Sequence, residues 1–333
     1  MNKLQQTITK NYPLEDKING FKKLEFDFNV SNELYRIDTA GKNYILKQML
    51  SAESFFGSKN AVSRLEAVSN VIHTLNTCKL PVENILPTHA GNYLVNFEGS
   101  LLRLFEFIPG RQYSSAYLKK CIKCLHRLHS NSIEYISKDN LTELAKYSTA
   151  LPLKDTIEHI SFISEQLSKN VDQYPDFHTI IENMDLIKKS ASKCLNYNYL
   201  TNLNPTILHT DFHPHNVIIS DNDEPVMIDM DNLIYEKPYK CIAFSILRFS
   251  AFEKGINRNN FEQTLLLFLE IYGNPAGLKQ DLLHTMTFLE LEKILRILYR
   301  FFKTETYPHF IKNLVPLHLQ NIKMIDQYKN DIK

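Results

Sequence analysis

The stretch "ILHTDFHPHNVIISDNDEPVMIDMDN", residues 207–232, decides how this chain is read. Its core, HTDFHPHN, sets His209, Asp211, His213 and His215 at alternate positions and closes on Asn216. Alternation suggests four metal ligands on one face of a strand. On a straight strand, however, they would span roughly 20 Å at about 3.3 Å per residue, whereas ligand atoms must come within about 2 Å of a single ion. The metal reading also leaves Asn216 and the segment VMIDMDN without a role.

A second chemistry uses more of these residues. Phosphoryl transfer from ATP needs an acidic group to orient the attacking hydroxyl and accept its proton. It also needs an amide and a second carboxylate to hold magnesium on the phosphates, and the first two are encoded as H-x-D-x-x-x-x-N. His209, Asp211 and Asn216 have that spacing. Beyond them, NVIIS and PVMID flank the turn DNDE as a β-hairpin, which would return Asp229 to the same end as Asn216.

The surrounding pattern predicts a layout with two parts. Lys22 to Met49 reads as a β-meander with a turn over Thr39 to Lys42, followed by an amphipathic helix whose candidate N-cap is Ser58 and whose apolar positions include Val62, Leu65, Val68, Ile72 and Leu75. Two more strands flank Glu98 and Gly99 and end at Pro109 and Gly110. From Ser114 onward helical periodicity dominates, interrupted by the hairpin. The expected class is α+β, with a β-rich N-lobe over residues 1–107 and a mainly helical C-lobe over residues 108–333.

HTDFHPHN followed by MIDMD resembles the aminoglycoside phosphotransferase and choline kinase superfamily, with its HxDxHPxN loop and "ID" hairpin strand. The resemblance runs from about Phe26 to Phe249; YILKQM and IDMDN look most like the N-acetylhexosamine 1-kinase branch. It implies a bilobal, protein-kinase-like fold, with ATP and Mg2+ as cofactors and a small-molecule acceptor, a sugar or amino sugar first and an aminoglycoside or an amino alcohol such as choline next. By that resemblance Asp211 is the catalytic residue, Asn216 and Asp229 hold the metal, and Lys47 in YILKQM holds the α and β phosphates, oriented by Glu66 on the following helix. RLFEFIPG resembles the family's crossing segment, placing Glu106, Phe107 and Ile108 at the adenine edge. Ser31 and Asn32 in FDFNVSNELY stand where relatives carry a phosphate-contacting Ser-Asn pair, here without glycine. Candidate acceptor contacts are Asp211, Asp231, Arg248 and Arg296.

The chain departs from the family where relatives carry GDPxxDLA. EKPYKCIA keeps Pro238 and Ala243 but has Cys241 in place of the aspartate that braces the catalytic loop. This departure and the glycine-free loop define a rival reading, a pseudokinase that binds nucleotide or a partner without turnover. Against it stand Lys47, Asp211, Asn216 and Asp229 together.

Bulk properties exclude other classes. The 333 residues carry 38 Lys plus Arg against 37 Asp plus Glu, so no global basic field favours nucleic acid or an anionic membrane. Five cysteines, odd in number, fit thiols in a reducing compartment better than a disulfide framework. The polar N-terminus has no signal-like apolar core, and no run of about 18 apolar residues occurs. The expected location is the cytoplasm; oligomeric state is not specified. CIKCLHRLH looks like a zinc motif, but at about 100° per residue its cysteines and histidines do not converge on one helical face. Ile122, Leu125 and Leu128 share the face of Cys121, so the segment reads as core.

Overall fold

The computed structural model describes residues 2–25, 32–50, 61–147, 153–170, 177–252, 256–304 and 308–331. Ser31 and Ser58 lie outside them. The described chain divides into two compact units, Met1–Ser148 with Pro205–Glu236, and Thr149–Asn204 with Lys237–Lys333.

The first unit opens with helix α1 (Lys3–Asn11), where Asn2 and Gln5 cap each other reciprocally. This helix falls in the segment that reads as merely polar. Strands β1 (Gly20–Leu24), β2 (Asn32–Asp38) and β3 (Asn43–Met49) form the expected meander, with Thr39 closing the turn through its bonds to Lys42. Helix α2 (Ala61–Thr77) follows, then β4 (Ile85–Leu86), β5 (Val95–Phe97), β6 (Ser100–Glu106) and β7 (Gly110–Gln112). Glu98 and Gly99 both have positive φ, 51° and 82°, as a two-residue hairpin between β5 and β6 requires. The sheet is antiparallel, in the order β1-β2-β3-β6-β4, with β5 also paired to β6.

Alternation along the strands divides the sheet's two faces. Tyr44 and Leu46 of β3, with Leu102 and Leu104 of β6, pack with Leu4 and Ile8 of α1. Met49 and Leu101 join Leu65 of α2 in a separate cluster. Burying each such side chain contributes roughly 1.5–3 kcal/mol. Lys47 alternates with Leu46 and lies opposite Arg103 in the register, so the two cations project side by side.

Helices α3 (Leu118–Asn131) and α4 (Lys138–Ala145) complete this part of the first unit. In α3 Cys121, Ile122, Leu125 and Leu128 are fully buried, which makes the zinc-like CIKCLHRLH a core helix face. The second unit continues with α5 (Leu153–Asn170), α6 (Phe177–Glu182) and α7 (Met184–Leu195). The run TIIENMDLIKKSASKCL is thus two helices divided at Asn183, whose backbone (φ −102°, ψ 8°) leaves the helical region.

The chain then returns to the first unit for β8 (Thr206–His209), β9 (Val217–Ser220), β10 (Pro225–Met227) and β11 (Leu233–Glu236). β9 and β10 form the predicted hairpin, β7 adds to its other edge, and β8 pairs antiparallel with β11. Back in the second unit, α8 (Tyr239–Ser250), α9 (Arg258–Ile271), α10 (Leu278–Thr304) and α11 (Pro308–Asp331) end the described chain. Leu291, Leu295 and Leu298 of α10 share a core with Phe177, Ile187, Val315 and Ile322. The α+β class therefore holds, with a sheet-rich N-terminal part and a helical C-terminal part. Among the described residues, no helix is long and apolar enough to cross a membrane.

Candidate active site

Two antiparallel pairings gather the quoted stretch. His209 ends β8 opposite Leu233, which begins β11, while Val217 begins β9 opposite Met227, which ends β10. Residues 210–216 and 228–232 are therefore two loops springing from neighbouring strand ends. The peptide of Ile228 stitches them together: its N–H donates to the Asn216 carbonyl at 3.0 Å, and its carbonyl lies 3.0 Å from His209 Nε2. Burial keeps the His209 imidazole below its ordinary pKa and therefore neutral, with Nε2–H as the donor. Thr210 Oγ1 adds a bond to the Asn232 carbonyl. His209 is thus a structural tie and not a ligand.

Asp211 lies in the loop with its side chain 45% exposed. Asn216 Nδ2 donates to the Asp211 carbonyl at 2.9 Å and approaches its Oδ2 at 3.4 Å. His213 Nδ1 accepts from the His215 amide, which leaves the proton on Nε2, 3.4 Å from Asp211 Oδ2. Asp211 is held by neighbours yet open to solvent, as a group that must meet an incoming hydroxyl needs to be.

Asp229 takes a left-handed backbone, φ 58° and ψ 47°, a conformation that non-glycine residues adopt at a cost. The carboxylate reached through this turn pairs with Lys47 Nζ. Asn216 spends its Nδ2 on Asp211, so its Oδ1 is the oxygen left for a cation. Two hard oxygen donors from neighbouring loop ends, one already facing a positive charge, fit a small divalent ion that completes its shell with phosphates and water.

Lys47 is not positioned as the resemblance implies. Its ammonium also reaches Asp231 Oδ2 at 2.5 Å, and Asp231 Oδ1 binds Arg103. Burial alone would lower the Lys47 pKa, but Asp231 and Asp229 outweigh it and hold it above the ordinary value. Burial would likewise raise the Asp231 carboxyl, and Arg103 and Lys47 hold it well below the usual range instead.

Glu66 instead accepts the backbone amides of Tyr93 and Leu94, at 3.1–3.3 Å. Those amides need an acceptor, and the Glu66 side chain supplies it. What α2 turns toward Asp231 is a cation: burial lowers the Arg64 pKa while Tyr147 and Asp231 pull it up. Asp231 is thereby corrected as an acceptor contact, since it is buried and enclosed by two basic groups.

The crossing segment is partly committed to the fold. The Glu106 amide donates to Asn84 O and the Phe107 amide to Asn43 O, each at 2.9 Å. Arg36 lies over the Phe107 ring at 4.5 Å. Among the described residues, the amide of Ile108 has no such backbone partner. Asn32 begins β2 opposite Met49. Arg248 and Arg296 are both in the second unit: Arg248 lies over the Phe244 ring at 5.7 Å, and Arg296 pairs with Glu292 at 2.6 Å.

Four supporting residues carried no sequence signal. Glu83 accepts the Met230 amide at 3.0 Å, bracing the turn that carries Asp229 and Asp231, and burial pushes its carboxyl up to about 7. Arg103 is an alternating strand position like any other until the register sets it beside Lys47. Asp281 of α10 accepts the amides of Leu200 and Thr201 at 2.9 and 2.8 Å, and Tyr239 donates its hydroxyl to Thr201 O at 2.6 Å. These two fasten the segment before β8 within its own unit. Cys241 is buried on the helix that Tyr239 begins.

The fold and this arrangement of Lys47, Asp211, Asn216 and Asp229 define a protein-kinase-like phosphotransferase. The chain belongs to the phosphotransferase enzyme family, whose model matches residues 24–239. No curated protein matches it. Among solved structures it is similar to an aminoglycoside phosphotransferase from Alicyclobacillus acidocaldarius (TM-score 0.68, 11% identity, covering 98% of this chain and 94% of that one). A spectinomycin phosphotransferase in complex with ADP and spectinomycin has TM-score 0.64, 12% identity and coverage of 97% and 95%. A choline kinase from Streptococcus pneumoniae has TM-score 0.53, 16% identity and coverage of 94% and 95%. These likenesses show the fold, the family model carries the membership, and neither supports the narrower N-acetylhexosamine branch.

Proposed function

We propose that the protein transfers the γ-phosphoryl group of ATP to a hydroxyl of a polar small molecule, with a sugar or amino sugar as the first candidate. The observation that carries this reading is the convergence of Asp211, Asn216 and Asp229 on two stitched loops, with the Lys47 ammonium against Asp229. The second candidate class, aminoglycosides and amino alcohols, draws support from the similar solved structures, which include a spectinomycin phosphotransferase and a choline kinase.

Asp211 orients the acceptor hydroxyl and takes its proton as the oxygen attacks the γ-phosphorus. Lys47 holds the non-transferred phosphates, and the backbone beyond Phe107, the Ile108 amide first, meets the adenine edge. Asn216 Oδ1 and the Asp229 carboxylate would hold Mg2+, which supplies charge neutralisation on the phosphates. The phosphoryl group leaves ADP and bonds to the acceptor oxygen, and the proton remains on Asp211 until solvent removes it.

The test is ADP release from Mg-ATP across a panel of hexoses, hexosamines, aminoglycosides and amino alcohols. Acceptor-dependent ADP release with one class identifies the substrate group. A protein that binds Mg-ATP but turns over none of the panel would refute the reading and favour a binding module.

A further inference from the structure

Lys47 meets two carboxylates of unlike character. Asp231 is 5% exposed, and its second oxygen is held by Arg103, which is fully buried. Asp229 is 46% exposed and is the carboxylate that the reading above assigns to the metal. An enclosed ion pair has no water to replace a lost partner, whereas a half-exposed carboxylate exchanges partners with solvent at little cost. Glu66, the acid expected to hold Lys47, is engaged by the Tyr93 and Leu94 amides.

We propose that Asp231, braced by Arg103, is the positioning residue of Lys47, and that its hold lets Asp229 release the ammonium in favour of a divalent cation. The proposal rests on the phosphotransferase reading. The carboxylate that fixes the lysine has moved from the helix to the residue two beyond the metal-binding aspartate. One short turn then carries both the permanent partner of Lys47 and the exchangeable one. Without Asp231 the buried ammonium keeps Asp229 alone, and an arriving cation has to displace it.

Binding of Mn2+ in the presence of ADP, followed by the electron paramagnetic resonance of free Mn2+, tests this without an acceptor or turnover. Asp231→Asn is expected to weaken Mn2+ binding by about tenfold, with adenosine affinity unchanged because adenosine has no phosphates for Lys47 to meet. In a Lys47→Met background the same substitution should cost less than about threefold, since no ammonium remains to compete. Should Asp231→Asn alone fail to fold, the pair Arg103→Met and Asp231→Asn removes both buried charges and carries the same expectation. Unchanged Mn2+ affinity, or an equal loss with and without Lys47, would overturn the role of Asp231. A wild-type protein that binds no Mn2+ with ADP would overturn the phosphotransferase site itself, and this proposal with it.

Discussion

Lys47 on β3 and Arg103 on β6 stand opposite each other in the sheet register, and the two cations share one buried carboxylate, that of Asp231. Neither basic side chain has ready access to water, so Arg103 depends on Asp231 for compensation and Lys47 on Asp231 together with Asp229. Removing one partner of an enclosed ion pair costs about 3–5 kcal/mol. Arg103→Met leaves Asp231 with Lys47, so the expected loss in urea unfolding is near the lower end, about 3 kcal/mol. A loss below about 1 kcal/mol would show that burying Arg103 costs as much as its pairing returns.

Asp211 differs from Asp231 in being half open, with the Asn216 amide and the His213 ring beside it. Asp211→Asn keeps the shape of the side chain and removes the base. Turnover with the best acceptor should fall by roughly 10² to 10⁴, while Mg-ATP affinity changes little. Coupled ADP-release kinetics and calorimetric titration of both proteins check the two halves of this expectation. Equal rates for the two proteins would remove Asp211 from the chemistry.

How much of this was legible in the sequence depended on whether a residue's role is local. The hairpin of β9 and β10 was legible because alternating apolar runs flank a polar turn, and it brings Asn216 and Asp229 to one end whatever surrounds it. Lys47 was legible as a strand lysine in a recognisable run. Its partners were not, because Asp231 and Arg103 meet it only through the pairing of β3 with β6 and the position of the 229–232 turn. Glu66 has the right residue type on the right helix, and sequence carries no record that the Tyr93 and Leu94 amides claim it. α1 escaped notice because its core contacts are few, Leu4 and Ile8 in a polar segment. The break at Asn183 was hidden for the opposite reason, since apolar periodicity continues through it.

Glu83 makes stability depend on pH in an unusual direction. Burial raises its carboxyl from an ordinary 4.5 to about 7, with the Met230 amide and Lys47 opposing and Asp231 and Asp229 adding to the rise. Below pH 4.5 both states are protonated and the group is neutral in its effect. Between 4.5 and 7 the unfolded chain releases this proton while the folded protein keeps it, so stability falls as pH rises, and above 7 the penalty is constant. Its full size is about 3 kcal/mol from the shift. Glu83→Gln retains an acceptor for the Met230 amide and cannot ionise. Urea unfolding from pH 4.5 to 8 should show the variant gaining on the wild type up to about pH 7 and then running parallel. Parallel behaviour over the whole range would mean that Glu83 titrates normally in the folded protein.

Asp229, the proposed metal ligand, sits on a backbone better suited to glycine. The left-handed conformation costs an ordinary L-residue roughly 1–2 kcal/mol, a cost that an aspartate lessens by local hydrogen bonding and that glycine avoids. Alanine has neither remedy. Asp229→Ala and Asp229→Gly both remove the carboxylate, so both should lose metal-dependent turnover, and both leave Lys47 with Asp231. Their stabilities should nevertheless differ, the glycine variant being more stable by about 1 kcal/mol. That order is the reverse of the one found in a regular helix or strand, where alanine is favoured. Paired urea melts of the two variants measure the difference free of the charge they both lack. An alanine variant equal to or more stable than the glycine variant would show that position 229 relaxes out of the left-handed region.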